Sequence, residues 1–162
     1  MALAACAGTS LQRQPHYPAP RPAAVTGSDA AQSPNQAADP RAIIVDVAAS
    51  MLGQPYRWGG AAPGGFDCSG LVAYAASGAG IRVPRTAHEQ LVAGTPVARA
   101  DLLAGDLVFM HLKHKELHVG IAIGGERFIH APSAGGQVRI DSLAAPPYSR
   151  SFLAARRIIA VR

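Results

Sequence analysis

Two cysteines and six histidines carry most of the reactive chemistry of this chain. Cys68 lies in Phe66-Asp-Cys-Ser-Gly70, between a glycine-rich loop and a helical pattern. A thiol at a helix N-terminus meets the positive end of the helix dipole and unpaired backbone amides. Both favour thiolate, and such positions lower a thiol pKa from about 8.5 by a unit or more. A depressed Cys68 pKa is therefore expected. The amides of Cys68 and Ser69 could also hold an oxyanion. The competing reading is a buried cysteine acting as a small hydrophobe.

A nucleophilic thiol needs a base and a group to orient that base. In the stretch His118-Val-Gly-Ile-Ala-Ile123, Val119, Ile121 and Ile123 share one strand face, and His118, Gly120 and Ala122 share the other. The histidine face is stripped of bulk, so a cysteine-bearing helix is expected to dock there. The bland alternative is a histidine at a strand end facing water. His130 follows in the next strand, and its use depends on register. A two-residue Gly124-Gly125 turn puts it opposite Val119, on the wrong face. A three-residue loop, 124–126, or an equivalent bulge, pairs it with Gly120 on the His118 face. Its Cα is then about 7–8 Å from that of His118. The catalytic reading requires that register.

A metal is the rival use of these histidines. His111, His114 and His118 are spaced by three and four, but they fall in a segment joining two strands. That spacing means little in a hairpin, so no metal is expected.

The elements that must position these groups come in two blocks. Asp39, Pro40 and Gly53 read as cap, first residue and stop of a helix whose Ile44, Val47 and Met51 face the core. A glycine-rich loop over 54–66 leads to a second helix starting near Asp67 and Cys68. Thr86-Ala-His-Glu89 is a capping box opening a third helix that stops at Gly94. Strand patterns then cover 107–110, 118–123, 127–131, 138–141 and 156–161. Helices first and strands second argue for α+β with an antiparallel sheet of about five strands.

The chain has 162 residues, 49% hydrophobic and 15% charged, with a formal net charge of +5. That suits one domain with residues left over. Two cysteines are too few for a disulfide scaffold. Residues 1–40 hold six of the thirteen prolines, and their charges cancel (Arg13 and Arg21 against Asp29 and Asp39). They read as an extended tether, with the domain over 41–162. All the net charge sits in that domain. Its arginines are scattered, with no helix-turn-helix, zinc-finger or aromatic-interleaved pattern, so nucleic acid is not expected as a partner. A membrane surface or an acidic polymer is the anionic partner the basic balance leaves open. Leu3-Ala-Ala-Cys6 resembles a bacterial lipoprotein box, which makes Cys6 a candidate lipid-attachment site and the tail a membrane tether. As written, the chain lacks a complete signal peptide before Cys6; an inert tail cysteine is the alternative.

Several segments together resemble the NlpC-type cell-wall peptidases, over roughly residues 41–161. They are Gln54-Pro-Tyr-Arg-Trp-Gly-Gly60, Phe66-Asp-Cys-Ser-Gly-Leu71, Val83-Pro-Arg-Thr86 with Gln90, Gly105-Asp-Leu-Val-Phe109, His118-Val-Gly-Ile121 and Phe128-Ile-His-Ala-Pro-Ser133. The resemblance implies a papain-like fold, with helices carrying the nucleophile packed on a small antiparallel sheet carrying the histidines. It implies a cysteine peptidase of the cell envelope acting on peptidoglycan stem peptides, typically between γ-D-glutamate and a diamino acid, without a cofactor. By position, Cys68 is the nucleophile, His118 the base and His130 the orienting group. Tyr56 lines up with a tyrosine that faces the nucleophile and supports the oxyanion; its alternative is an ordinary core tyrosine. Asp67 and Ser69 flank the nucleophile where relatives contact substrate, although Asp67 equally suits a helix cap. Arg85 and Thr86 are candidates to line the groove, Thr86 having a capping role already. A monomer is expected. A related thiol-dependent amidase or acyltransferase, a non-catalytic wall-binding module and, last, a metallopeptidase are the rival classes.

Overall fold

Local capping chemistry starts each helix of the computed structural model, which describes residues 38–113, 116–134 and 136–159. Helix α1 (Pro40–Ser50) begins with Asp39 accepting from the Arg41 amide and Pro40 in the first turn. Ile44 and Ala48 are its fully buried residues, with Val47 and Met51 packed against the same core. Helix α2 (Cys68–Gly78) is capped by Asp67, which accepts from the Gly70 amide. Helix α3 (Ala87–Leu91) carries the expected Thr86–Glu89 capping box. Between α1 and α2 the glycine-rich segment folds into a small hairpin, β1 (Ala61–Ala62) and β2 (Gly65–Phe66).

The second block is an antiparallel sheet of six strands, one more than expected. It comprises β3 (Thr95–Val97), β4 (Leu107–His111), β5 (Leu117–Gly124), β6 (Arg127–His130), β7 (Arg139–Ser142) and β8 (Phe152–Arg157), in the order β3-β8-β4-β5-β6-β7. The unexpected strand is β3, a short edge strand paired only with β8. Pro96 at its centre lacks an amide, which an edge strand tolerates and a central strand does not. Strand β8 begins four residues before the expected 156–161. The apolar run at its end suggested the later span, but the sheet uses the preceding residues, with Ala155 buried opposite Val108.

The sheet separates two apolar clusters. On one face Leu107, Phe109, Val119, Ile121 and Ile129 pack with Ile44 and Ala48 of α1 and Leu71, Val72 and Ala75 of α2. On the other, Val108, Met110, Ala122, Phe128, Leu143 and Tyr148 form a smaller cluster. The helices therefore dock on the Val119–Ile121 face and not on the small-residue face of His118. Buried apolar area decides the docking face, and Val119 and Ile121 supply it. The space over Gly120 is filled within the sheet instead. A Cβ there would lie 2.6 Å from Phe128 Cδ2 and 3.2 Å from His130 Cβ. The tail over 1–37, with Cys6 and its tether, lies outside the described residues.

Candidate active site

Cys68 is the first residue of α2, and Gly70 is what lets the glycine-rich segment reach that turn. A Cβ on Gly70 would meet the Gly60 carbonyl at 2.0 Å. The Cys68 thiol is partly buried against the helix-facing core. The backbone amides of Val119 and Ser69 face its sulfur. The sulfur therefore sits at the start of β5, beside the residue that follows His118. Burial pushes the thiol pKa up and the Asp67 charge adds to this, outweighing the two amides. The expected depressed pKa is thus reversed. Desolvation disfavours thiolate more than the helix terminus favours it.

His118 and His130 come together as the required register demands. Ile121 pairs with Ile129 and Ala122 with Phe128. Continuing that register sets Gly120 against His130. The turn itself differs from the three-residue loop. A bulge between Ala122 and Gly124 takes up one residue, and Gly124 pairs with Arg127. His118 Nε2 and His130 Nδ1 lie 2.8 Å apart in one hydrogen bond, with the rings edge-on. Both are buried, at 4% and 0% exposure. Burial, aided by His130 and the Arg139 charge, lowers His118 to about 3. Burial lowers His130 to about 4, although the Asp141 carboxylate opposes it. Near neutral pH the pair is uncharged.

Asp141, Arg139 and Tyr148 join this site without having been read as part of it from the sequence. Asp141 Oδ2 accepts from His130 Nε2 at 2.9 Å, from Arg139 Nε at 2.8 Å and from the Tyr148 hydroxyl at 2.9 Å. Burial pushes Asp141 up, but these three donors hold its pKa below the usual carboxylate range. Phe128 and Tyr148 pack their rings against His130. The available signal was the placement of Asp141 on the strand beside β6, two residues from the register partner of His130, which is Arg139.

Asp67, Ser69 and Arg85 form a separate polar cluster beside Cys68. The Asp67 carboxylate accepts from the amides of Gly59 and Gly70, from the Ser69 hydroxyl and from Arg85 at 2.7 and 3.0 Å. Arg85 also donates to the buried Ser69 hydroxyl at 3.0 Å. Gln90 is fully buried and ties α3 to this turn by donating to the carbonyls of Ser69 and Pro84. Thr86 is engaged in its capping box. Burial raises the Tyr56 hydroxyl pKa, and the nearby charges of Cys68 and Asp67 add to it. Tyr56 and Cys68 both pack against the same apolar core. His111 pairs with Leu117, so by alternation its side chain leaves the opposite face of the sheet from His118. His114 lies outside the described residues.

Comparisons with known proteins identify the family of this fold. The model of the NlpC/P60 family matches residues 53–157. The chain is similar to the murein DD-endopeptidase MepH of Escherichia coli (strain K12), 40% identical over 123 residues that make up 72% of this chain and 45% of that protein. It is 37% identical over 117 residues to the gamma-D-glutamyl-L-lysine dipeptidyl-peptidase of Bacillus subtilis (strain 168), covering 70% of this chain and 40% of the relative. This chain spans less than half the length of either. Among solved structures, an NlpC/P60 family protein from Bacillus cereus superposes with a TM-score of 0.70 at 32% identity, covering 74% of this chain and 40% of that one. With its helical half, its six-stranded antiparallel sheet and the matched residues 53–157 all in family form, the chain belongs to the NlpC/P60 family of papain-like domains.

Proposed function

We propose that this domain is a cysteine endopeptidase of peptidoglycan, cleaving the stem-peptide amide between γ-D-glutamate and a diamino acid. The observation that carries the reading is the placement of the Cys68 sulfur at the amide of Val119, the residue after His118, whose ring is paired with His130. In the resting state thiol and imidazole are both neutral, so His118 acts as a general base during attack. The sulfur–carbon bond forms as the thiol proton moves to His118, and amides at the α2 N-terminus, with the Tyr56 hydroxyl, hold the oxyanion. His118 then protonates the leaving amine as the carbon–nitrogen bond breaks. Water hydrolyses the thioester with His118 again as base. His130 orients His118. Asp67, Ser69 and Arg85 act as one hydrogen-bonded wall of the substrate groove, with Thr86 holding the start of α3 behind it. No step needs a metal or organic cofactor.

The names of the two curated relatives point to different bonds, a γ-D-glutamyl bond in one and a D,D bond in the other. Mass spectrometry of muropeptides after digestion of purified peptidoglycan distinguishes them. Wild type should release fragments ending in γ-D-glutamate, and Cys68→Ala should release none while staying folded. Release of D,D-cleaved dimers would move the scissile bond. Turnover by Cys68→Ala would end the cysteine mechanism. The reading places the protein in the cell envelope, where this substrate resides, acting as a monomer. Acylation of Cys6 would anchor it there through the proline-rich tail, and radiolabelled palmitate incorporation lost in Cys6→Ala tests that anchor.

A further inference from the structure

We propose that Asp141 is a positioning residue that orders the protons of both histidines and thereby selects Nδ1 of His118 as the base nitrogen. The inference rests on the peptidase reading and goes beyond it, because it identifies the group that makes one nitrogen available.

The argument follows the direction of each hydrogen bond from the solvent side inward. Arg139 carries only donors. Its Nε donates to Asp141 Oδ2 at 2.8 Å and its Nη2 to the Tyr148 hydroxyl oxygen at 3.4 Å. The Tyr148 oxygen accepts that bond, and its own proton goes to Asp141 Oδ2 at 2.9 Å. A carboxylate with a guanidinium and a phenol donating to one oxygen stays ionised, and an ionised carboxylate only accepts. His130 Nε2, 2.9 Å from that same oxygen, must therefore carry a proton.

The fully buried His130 ring is neutral, so its Nδ1 is bare and can only accept. Its partner at 2.8 Å is His118 Nε2, which must therefore donate. A neutral His118 is left with an unprotonated Nδ1, whose lone pair can take a proton. Reversing the string would need a protonated Asp141 facing Arg139. It would also put a proton on His118 Nδ1 and leave no base for a thiol. The outer end is accessible enough to change without emptying the core. The side chains of Asp141 and Arg139 are 26% and 39% exposed, whereas His130 is at 0%.

The test has two arms on the full chain. Nitrogen-15 NMR of histidine-labelled wild type at neutral pH should show both rings as the Nε2–H tautomer, with both Nδ1 atoms bare. In Asp141→Ala the His130 tautomers should mix. In that variant kcat/KM on muropeptides should fall about 10-fold. This is less than the 10²–10⁴-fold attributed to general acid–base catalysis, because solvent replaces the carboxylate as acceptor. Asp141→Asn keeps an acceptor oxygen toward Arg139, Tyr148 and His130, and should restore the tautomers and most of the rate. A wild-type proton on His118 Nδ1 overturns the proposal, and so does Asp141→Ala with unchanged tautomers and unchanged kcat/KM. If the peptidase reading itself is wrong, no variant has turnover to lose, while the NMR arm still reports the proton order.

Discussion

Gly120→Ala should damage both stability and the histidine pair, and the structure gives the size of each effect. Gly120 has no positive φ, so alanine costs nothing in backbone strain there. The entire penalty is steric. The new methyl would sit 2.6 Å from Phe128 Cδ2, 3.0 Å from the Ile129 carbonyl oxygen and 3.2 Å from His130 Cβ. Phe128 is fully buried and packed edge-on against Tyr148, so it has little room to turn. The carbonyl belongs to a paired strand and is equally constrained. Overpacking of this kind costs about 1–3 kcal/mol, and the stiffer unfolded chain of the alanine variant returns about 0.4–1 kcal/mol. A net loss of about 1–2 kcal/mol lowers Tm by roughly 4–8 °C in a domain of this size. The part of the strain taken up at His130 should lengthen its bond to His118, which is 2.8 Å in the wild type. Muropeptide turnover should therefore fall further than the small rise in unfolded molecules explains. Calorimetry and turnover measured on the same sample, well below Tm, separate the two effects. Wild-type Tm with wild-type turnover would refute the argument, because it would mean that the small-residue face is not filled by Phe128 and His130.

Asp106→Ala should be the more destabilising change and should leave turnover per folded molecule intact. Its fully buried carboxylate is held by Arg41 and Arg157 at the end of β4 remote from His118, and breaking such a group costs about 3–5 kcal/mol, measured by urea unfolding. Acid should weaken the fold. His118 and His130 titrate at about 3 and about 4 when folded, against 6.5 for the free side chain, so the unfolded chain binds more protons below about pH 6.5. Stability is then full above that pH and falls as pH drops toward 3, by up to about 1.4 kcal/mol per pH unit for each ring; a flat profile from pH 7 to 4 would contradict the buried neutral pair. Alkylation of Cys68 by iodoacetamide, followed by peptide mass spectrometry, should keep rising with pH through the neutral range without levelling off, since burial raises the thiol pKa; a plateau below pH 7 would indicate a resting thiolate–imidazolium pair. Tyr148→Phe keeps the rings against Phe128 and His130 but removes the hydroxyl donor to Asp141, and a lost hydrogen bond to a charged group should cost about 1.5–3 kcal/mol in urea unfolding.

Features governed by local rules were legible in the sequence. The Asp39, Asp67 and Thr86–Glu89 caps use side chains two or three residues from the amide they satisfy, so spacing alone reveals them. The His118–His130 register was legible because period-2 alternation allows only two faces and just one of them serves a relay. Non-local features were lost. Strand β3 carries Pro96 and gains its identity only from pairing with β8, more than fifty residues later. The docking face of the helices was misjudged because absence of bulk was read as space for a helix. Neighbouring strands claimed that space, and buried apolar area placed the helices elsewhere. Asp141 and Tyr148 belong to β7 and a following 3-10 turn. Nothing in an Arg-Ile-Asp-Ser strand distinguishes a carboxylate aimed at a buried histidine from an ordinary charged edge residue.

The misjudged docking face and the raised thiol pKa share one physical cause. The helices on the Val119–Ile121 face bury Cys68 against apolar side chains, which withholds the solvent that would stabilise a thiolate. The second cluster buries the histidines on the opposite face and withholds the solvent that would stabilise an imidazolium. Each half of the fold therefore keeps its own reactive group neutral. At the start of β5, Val119 offers its amide to the sulfur, and the neighbouring His118 is paired with His130. In the proposed mechanism a neutral pair of this kind separates no charge at rest. Charge separates only when a carbonyl carbon is present to receive the sulfur and fixed amides are in place to hold the resulting oxyanion. Under this arrangement the acid limb of kcat/KM should follow the titration of the histidine pair, well below pH 6, and not the formation of a preformed ion pair. In the proposed mechanism the motif Asp-Cys-Ser-Gly supplies the nucleophile, and the two-sided burial of the sheet sets the protonation state in which it waits.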